Sequence, residues 1–355
     1  MTQKDQSSEK SSMILWLFMG CFLILGMVVV GGITRLTGSG LSITEWKVVT
    51  GSIPPLNEDQ WTDAFDHYKL IPQYKLLNSN FTLNDFKFIY FWEFIHRLIG
   101  RMIGVVFLIG FIHFYNKKVI TKELMPKLLF MFVLGGIQGF LGWYMVSSGL
   151  TENVRVSHIR LAIHLTFAFI TFGYIFKVAL SELYPVKNVN SYAVTKYKKF
   201  GITILILLII QIIYGAFVAG TKSGWTYNTW PKMEGEWVPE SMTYMLGKEG
   251  SISLINNLAS VQFIHRTLAY LITALVLFVG ISVFRDSKLS KYHKDSALVL
   301  LSFIFIQVLL GIVTLLYKVP ISLGVIHQAM AFFLFAASIY FLHRLKHEPM
   351  KNKIA

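Results

Sequence analysis

Eight stretches of the 355-residue chain are apolar over lengths near the roughly 20 residues that cross a bilayer as a helix. They are 13–33, 88–114, 127–147, 158–180, 200–220, 259–284, 296–317 and 321–343. Backbone in hydrocarbon must satisfy its own hydrogen bonds, so segments of this length coil into helices. The expected fold is an all-α integral membrane protein. Composition agrees: 54% hydrophobic, 15% charged and a mean hydropathy of +0.55 exclude both a water-soluble globule and a disordered chain. A net charge of +14 would suggest nucleic acid in a soluble protein, but here the question is where the basic residues sit. Cys21 is the single cysteine, which excludes an internal disulfide and any cysteine-built zinc or iron–sulfur site. The first span is too long for a signal peptide and lacks a small-residue cleavage site. The leader Met1–Ser12 carries Asp5 and Glu9 and no Arg, which argues against a mitochondrial transit peptide and for a bacterial inner membrane.

Basic residues orient the spans. The N-terminal tail, the connections after the second, fourth and sixth spans, and the C-terminal tail together hold 19 of the 33 Lys and Arg, including Lys4, Lys117, Lys187, Lys199, Lys291, Lys351 and Lys353. In the long loops 34–87 and 221–258 acidic residues about balance basic ones. By the positive-inside rule both termini are cytoplasmic and both long loops face outward. An amphipathic helix is expected near Glu58–Tyr68, lying at the interface.

The chain also repeats itself. Phe94-Ile95-His96-Arg97 returns as Phe263-Ile264-His265-Arg266, an offset of 169 residues (265 − 96), and Gln138 with Gly142 returns as Gln307 with Gly311 at the same offset. Gly40 and Trp46 match Gly224 and Trp230, and His164 matches His327. The spacing predicts two tandem four-helix bundles related by a pseudo-two-fold axis along the membrane normal. Their bounds are a tail 1–12, an N-terminal bundle 13–180 containing loop 34–87, a linker 181–199, a C-terminal bundle 200–343 containing loop 221–258, and a tail 344–355.

Of the ten histidines, His96, His164, His265 and His327 stand apart. All four helices run inward from the outer side, and each histidine falls about six to eight residues past its span's start, roughly 9–12 Å deep at 1.5 Å per residue. Two imidazoles at one depth in each bundle suit axial ligation of a haem iron. Polar packing between helices is the plainer account of one isolated histidine, but not of four in duplicate. His67, His113, His158, His293, His343 and His347 read as interfacial. Gly100, Gly104 and Ala269 give a small-residue stripe on which a flat macrocycle could lie, and Arg97 and Arg266 are candidates to bind haem propionates, with snorkelling as the alternative. Glu93 sits at i−3 from His96, whereas the second copy carries Gln262 there. A carboxyl in a span is costly unless used, so one site is expected to do chemistry and the other to carry electrons or hold structure.

The run Gly31-Gly32-Ile33-Thr34-Arg35-Leu36-Thr37-Gly38-Ser39-Gly40-Leu41-Ser42, then Trp46, Pro54-Pro55 and Glu93-Phe94-Ile95-His96-Arg97, resembles the haem A synthase family. The likeness covers nearly the whole chain. Without a cysteine pair in the first outer loop, it points to the branch shared by mitochondria and some Gram-negative bacteria. The resemblance implies oxidation of the C8 methyl of haem O to a formyl group through a hydroxymethyl stage. It implies a haem b ligated by His265 and His327 in the C-terminal bundle, His96 and His164 facing the substrate haem, and Glu93 as the catalytic carboxylate. Implied partners are haem O handed over by haem O synthase, an unidentified electron donor and membrane lipid, with no nucleic acid; a homo-oligomer stays open. Two other readings also stay open. One is a quinol-linked bis-histidine dihaem cytochrome, which needs no Glu93/Gln262 asymmetry. The other is a repeat-built transporter, to which only Gly-rich patches such as Leu134–Gly142 point.

Overall fold

The computed structural model describes residues 3–45, 50–150, 154–184 and 192–346. Trp46, Lys187, His347, Lys351 and Lys353 lie outside the described residues. The α-helices are α1 (Gln3–Leu36), α2 (Glu58–Lys69), α3 (Pro72–Leu77), α4 (Leu83–Asn116), α5 (Met125–Ser147), α6 (His158–Leu183), α7 (Tyr192–Thr221), α8 (Glu240–Glu249), α9 (Ser253–Asn256), α10 (Leu258–Arg285), α11 (Lys291–Leu316) and α12 (Ile321–Leu345). Eight of these, α1, α4 to α7 and α10 to α12, are long and apolar enough to cross a membrane. Among the described residues the sole β pairing is an isolated bridge between Met233 and Glu236. The chain is an all-helical, multi-pass membrane protein, as its apolar stretches predict. Helices α1, α4 and α7 begin well before those stretches. No glycine or proline interrupts their polar first turns, and α4 starts at a reciprocal cap between Thr82 and Asp85.

The chain divides into two compact units, residues 1–172 and 173–355. In the first, α1 packs along α4 and α4 touches α5. Trp16 on α1 lies against Gly110 of α4, stacks on Phe107 with ring centroids 5.0 Å apart and donates to the Val106 carbonyl at 3.3 Å. The end of α5 and the start of α6 are tied by Arg160, which donates to the Tyr144 carbonyl at 2.8 Å while its guanidinium covers that ring.

The long loop between α1 and α4 folds back on α4. Asn57 caps α2, whose Trp61, Phe65 and Tyr68 recur at helical spacing. Phe65 and Tyr68 bury against Phe86 and Ile89 of α4 together with Leu41 and Ile71. The expected amphipathic helix is therefore present, with its apolar face turned to α4. Burial pushes the Tyr68 phenol up to about 12, partly offset by the hydrogen bond from Asn78. Gln73 donates to the Gly38 carbonyl at 3.0 Å, where the chain turns at a φ of +73° that glycine adopts without strain.

In the second unit α7 packs on α10, α10 on α11, α11 on α12 and α12 back on α7, closing a four-helix ring. Its core includes Ile204, Leu208, Ile272, Val276 and Phe332. At the end away from the long loop, Asp286 accepts from Lys196 at 3.0 Å and Tyr197 at 2.9 Å, and the lysine holds its carboxyl down at about 2. His293 and His343 are buried near this end, packed within the ends of α11 and α12.

Candidate functional site

Each of the four singled-out histidines lies against a glycine of a neighbouring helix. A Cβ added at Gly31 of α1 would stand 2.9 Å from the His96 ring, and one at Gly142 of α5 would stand 3.2 Å from His164. In the second unit the pairs are Gly215 of α7 with His265, at 3.2 Å, and Gly311 of α11 with His327, at 3.0 Å. A methyl at Gly31 would force a shift, and at the other three the ring would have to give by a few tenths of an ångström. The glycines sit five or six residues before the ends of their helices, at Leu36, Ser147, Thr221 and Leu316, or about 7.5–9 Å along the axis. Within each unit the two histidines therefore face glycines at nearly the same distance from their helices' ends. Helix starts do not show this, because α4 begins at Leu83, further ahead of His96 than the other helices begin ahead of their histidines.

Glutamine amides reach three of these rings. Gln138 stands 3.3 Å from Nδ1 of His164, Gln211 3.4 Å from Nε2 of His265, and Gln307 3.3 Å from Nδ1 of His327. Gln138 and Gln211 also donate to the backbone carbonyl of their histidine, at 3.2 and 3.0 Å.

Do these residues suit a haem? The imidazoles of His96 and His164, and those of His265 and His327, lie within electrostatic reach of each other in their own units. Nδ1 of His96, Nδ1 of His265 and Oε1 of Gln138, Gln211 and Gln307 are buried with no hydrogen-bond partner. Among the described residues no group of three or more His, Cys, Asp or Glu forms a cage for a bare ion. Two imidazoles within electrostatic reach of each other in each unit, one of each pair with Nδ1 uncommitted and each faced by a glycine, fit axial ligation of a macrocycle's iron.

One turn from His96, the buried Glu93 carboxylate accepts from Ser42 Oγ at 2.8 Å, from the Ile43 backbone N–H at 2.9 Å and from Arg97 at 2.6 Å. Arg97 in turn donates to the carbonyls of Ile43 and Glu45, at 2.9 and 3.0 Å. The second unit repeats the arrangement without the carboxylate. Gln262 donates to the Tyr227 carbonyl at 3.0 Å, and Arg266 donates to those of Tyr227 and Thr229 at 2.6 and 2.8 Å. In both units the arginine after the histidine fastens the long loop, and Arg266 keeps one buried donor, Nε, unpartnered.

The family model for the cytochrome oxidase assembly protein COX15-CtaA matches residues 14–339, almost the whole chain. The chain belongs to this family. Its relatives include the haem A synthase of Flavobacterium johnsoniae, 48% identical over 344 residues that cover 95% of this chain and 98% of that one. That of Flavobacterium psychrophilum is 49% identical, with 95% and 98% covered, and that of Parvibaculum lavamentivorans is 43% identical, with 93% of each covered.

In this COX15-CtaA family member, sequence reasoning singled out Glu93, Arg97, Arg266 and the four histidines, and the structure groups them in two sites, one per unit. It missed Gly31, Gly215, Met27 and Gln211. The signal was present: the offset that carries Gly40 onto Gly224 and Trp46 onto Trp230 is 184 (224 − 40), and it also carries 31 onto 215 and 27 onto 211. Gln138, Gly142, Gln307 and Gly311 were noticed as repeats, but without a role.

Proposed function

We propose that the chain is a haem A synthase, a membrane oxidoreductase that takes the C8 methyl of haem O to a formyl group through a hydroxymethyl stage. One observation carries the reading: each unit holds a glycine-faced pair of imidazoles, and a carboxylate stands beside only one pair. The assignment of the relatives, all haem A synthases, agrees with it.

A haem b bound in the C-terminal unit would supply electron transfer. His265 and His327 hold it, Gly215 and Gly311 keep backbone clear of the imidazoles, and Arg266 offers its spare Nε to a propionate. In the N-terminal unit His96 and His164 hold haem O, and Arg97, committed to loop carbonyls and Glu93, lends positive charge on the propionate side. With water as the source of the formyl oxygen, oxidising a methyl to an aldehyde releases protons along with electrons, which haem b would carry onward. Glu93 accepts the protons within hydrogen-bond reach or through one water. Gln262 cannot take a proton, so its unit is left to electron transfer.

The two units are read as tandem copies related by an axis along the membrane normal, supported by their matching glycine–histidine pairs. The acidic, Arg-free leader supports a bacterial inner-membrane location, and the basic-residue tally supports both termini cytoplasmic and both sites toward the outer face. Haem O would arrive from haem O synthase, whose product it is. The test is expression in a host that makes haem O but not haem A, followed by extraction and chromatography of the haems. Haem A in the extract is expected. Haems b and O alone, in a well-expressed red protein, would favour the electron-transfer cytochrome.

A further inference from the structure

The two units pair their second and third spans differently. In the first, α4 meets α5 lightly, and Phe132 of α5 lies against Phe107 and Phe111 of α4, with ring centroids 4.6 and 5.4 Å apart. The 169-residue offset carries these three onto Leu301, Val276 and Gly280. There α10 packs along α11, and a Cβ on Gly280 would stand 2.6 Å from Leu301. The helices close at the point where aromatic rings wedge those of the first unit apart. From the wedge toward the histidines, the register set by Phe107 and Phe132 puts Gly104 across from Gly135 and, a turn further, Gly100 across from Gly139. A Cβ added at Gly104, Gly135 or Gly139 would meet nothing within 4 Å, and all three are exposed. The same offset puts Thr273, Ile304 and Val308 at these positions of the second unit, where Ile304 is buried in the core.

The gap reaches the histidine pair, since Gly139 is three residues from Gly142, which faces His164, and Gly104 is two turns from His96. Two sites with matching histidines and arginines suit the same macrocycle and differ in the room they leave beside it. Haem O differs from haem b in the long isoprenoid tail that replaces one vinyl group. We propose that the gap between α4 and α5 is the slot for that tail, admitted by Gly104, Gly135 and Gly139, and that the bulk of Ile304 closes the second unit to it. This inference rests on the proposed function, which makes haem O the ligand of the first unit. Lipid is as apolar as the slot, so moving the tail from one to the other yields little free energy, and selection is by room. From Gly142 to Gly135 the slot follows α5 for about 10.5 Å. Because it is open along its side, the tail stays in hydrocarbon while the macrocycle enters.

The experiment titrates the full-length protein, made in a host without haem O and holding one equivalent of haem b, with haem O and, separately, with protohaem. Uptake of the second haem is followed in the Soret band. Gly135→Ile gives the first unit the residue of the second. Gly136→Ile is its control, because the offset carries Gly136 onto Phe305, which is 70% exposed on the outside of its bundle. Wild type is expected to take up haem O. Gly135→Ile should weaken haem O uptake at least about tenfold and protohaem uptake less than about threefold, because the added side chain overfills the slot and spares the macrocycle. Gly136→Ile should change neither. Gly104→Thr, a smaller addition on the facing helix, should weaken haem O uptake in the same sense, and it decides the matter if Gly135→Ile fails to accumulate. Equal weakening of both haems would overturn the inference, since the gap would then hold macrocycle, and so would unchanged haem O uptake in both slot variants. Either result leaves the proposed function standing. A wild type that takes up no haem O would overturn both.

Discussion

Every oxygen of the Glu93 carboxylate is engaged, by Arg97 on one side and by Ser42 and Ile43 on the other. That contact set fits a proton acceptor and equally a loop fastener, and two substitutions separate the roles. Glu93→Gln keeps the shape, matches Gln262 of the second unit and cannot take a proton. It is expected to retain haem b and to accumulate haem O or the hydroxymethyl compound, with haem A reduced at least tenfold on extraction. Ser42→Ala removes one loop bond, worth about 1 kcal/mol, and leaves the carboxylate. It should keep most haem A output if the role is chemical and lose as much as Glu93→Gln if fastening is all that matters. In the second unit His265→Ala and His327→Ala are each expected to lose tightly bound haem b from the purified protein. Wild-type haem content and spectrum in both would reject the pair as its ligands.

Among the elements, α2 shows what a sequence can reveal and what it cannot. Its period was legible because Trp61, Phe65 and Tyr68 recur at helical spacing, and the eight spans were legible because apolar length alone decides them. Which surface α2 covers was not legible, since its contact with Phe86 joins residues far apart in sequence. The same holds for Arg97 and Arg266: a charge beside a ligand suggested propionates, while the folded loops bring carbonyls into the same reach. Duplicated histidines stood out by repeat offset, whereas the glycines facing them are common residues that acquire meaning only when helices meet. Phe65, stacked on Phe86 at 5.0 Å, is the test residue for the cap. Phe65→Ala should cost the loop about 3–5 kcal/mol of local stability. Limited proteolysis is expected to cut within 50–82 much faster, with haem b content unchanged; an unaltered cleavage rate would show that the cap does not depend on this core.

At the scale of the molecule, the orientation proposed from the tally of basic residues has its own test. Ser79 and Ser251 are exposed on the first and second long loops. Ser79→Cys and Ser251→Cys are each expected to react with an impermeant thiol reagent in intact spheroplasts, against a background set by the buried Cys21. Labelling only after lysis would invert the protein and put both haem sites on the cytoplasmic side. The manner in which those loops are held carries one more consequence. Arg266 and Gln262 grip the second loop through main-chain oxygens. A grip on the main chain is blind to the side chains it passes, so Lys232, whose carbonyl Arg266 also reaches at 3.4 Å, can be exchanged while the seat beneath it persists. The first loop lacks this latitude at Ser42, whose own hydroxyl is part of the hold. The second loop is thus the surface where an engineer could write a new epitope or tether and leave the grip of Arg266 and Gln262 undisturbed.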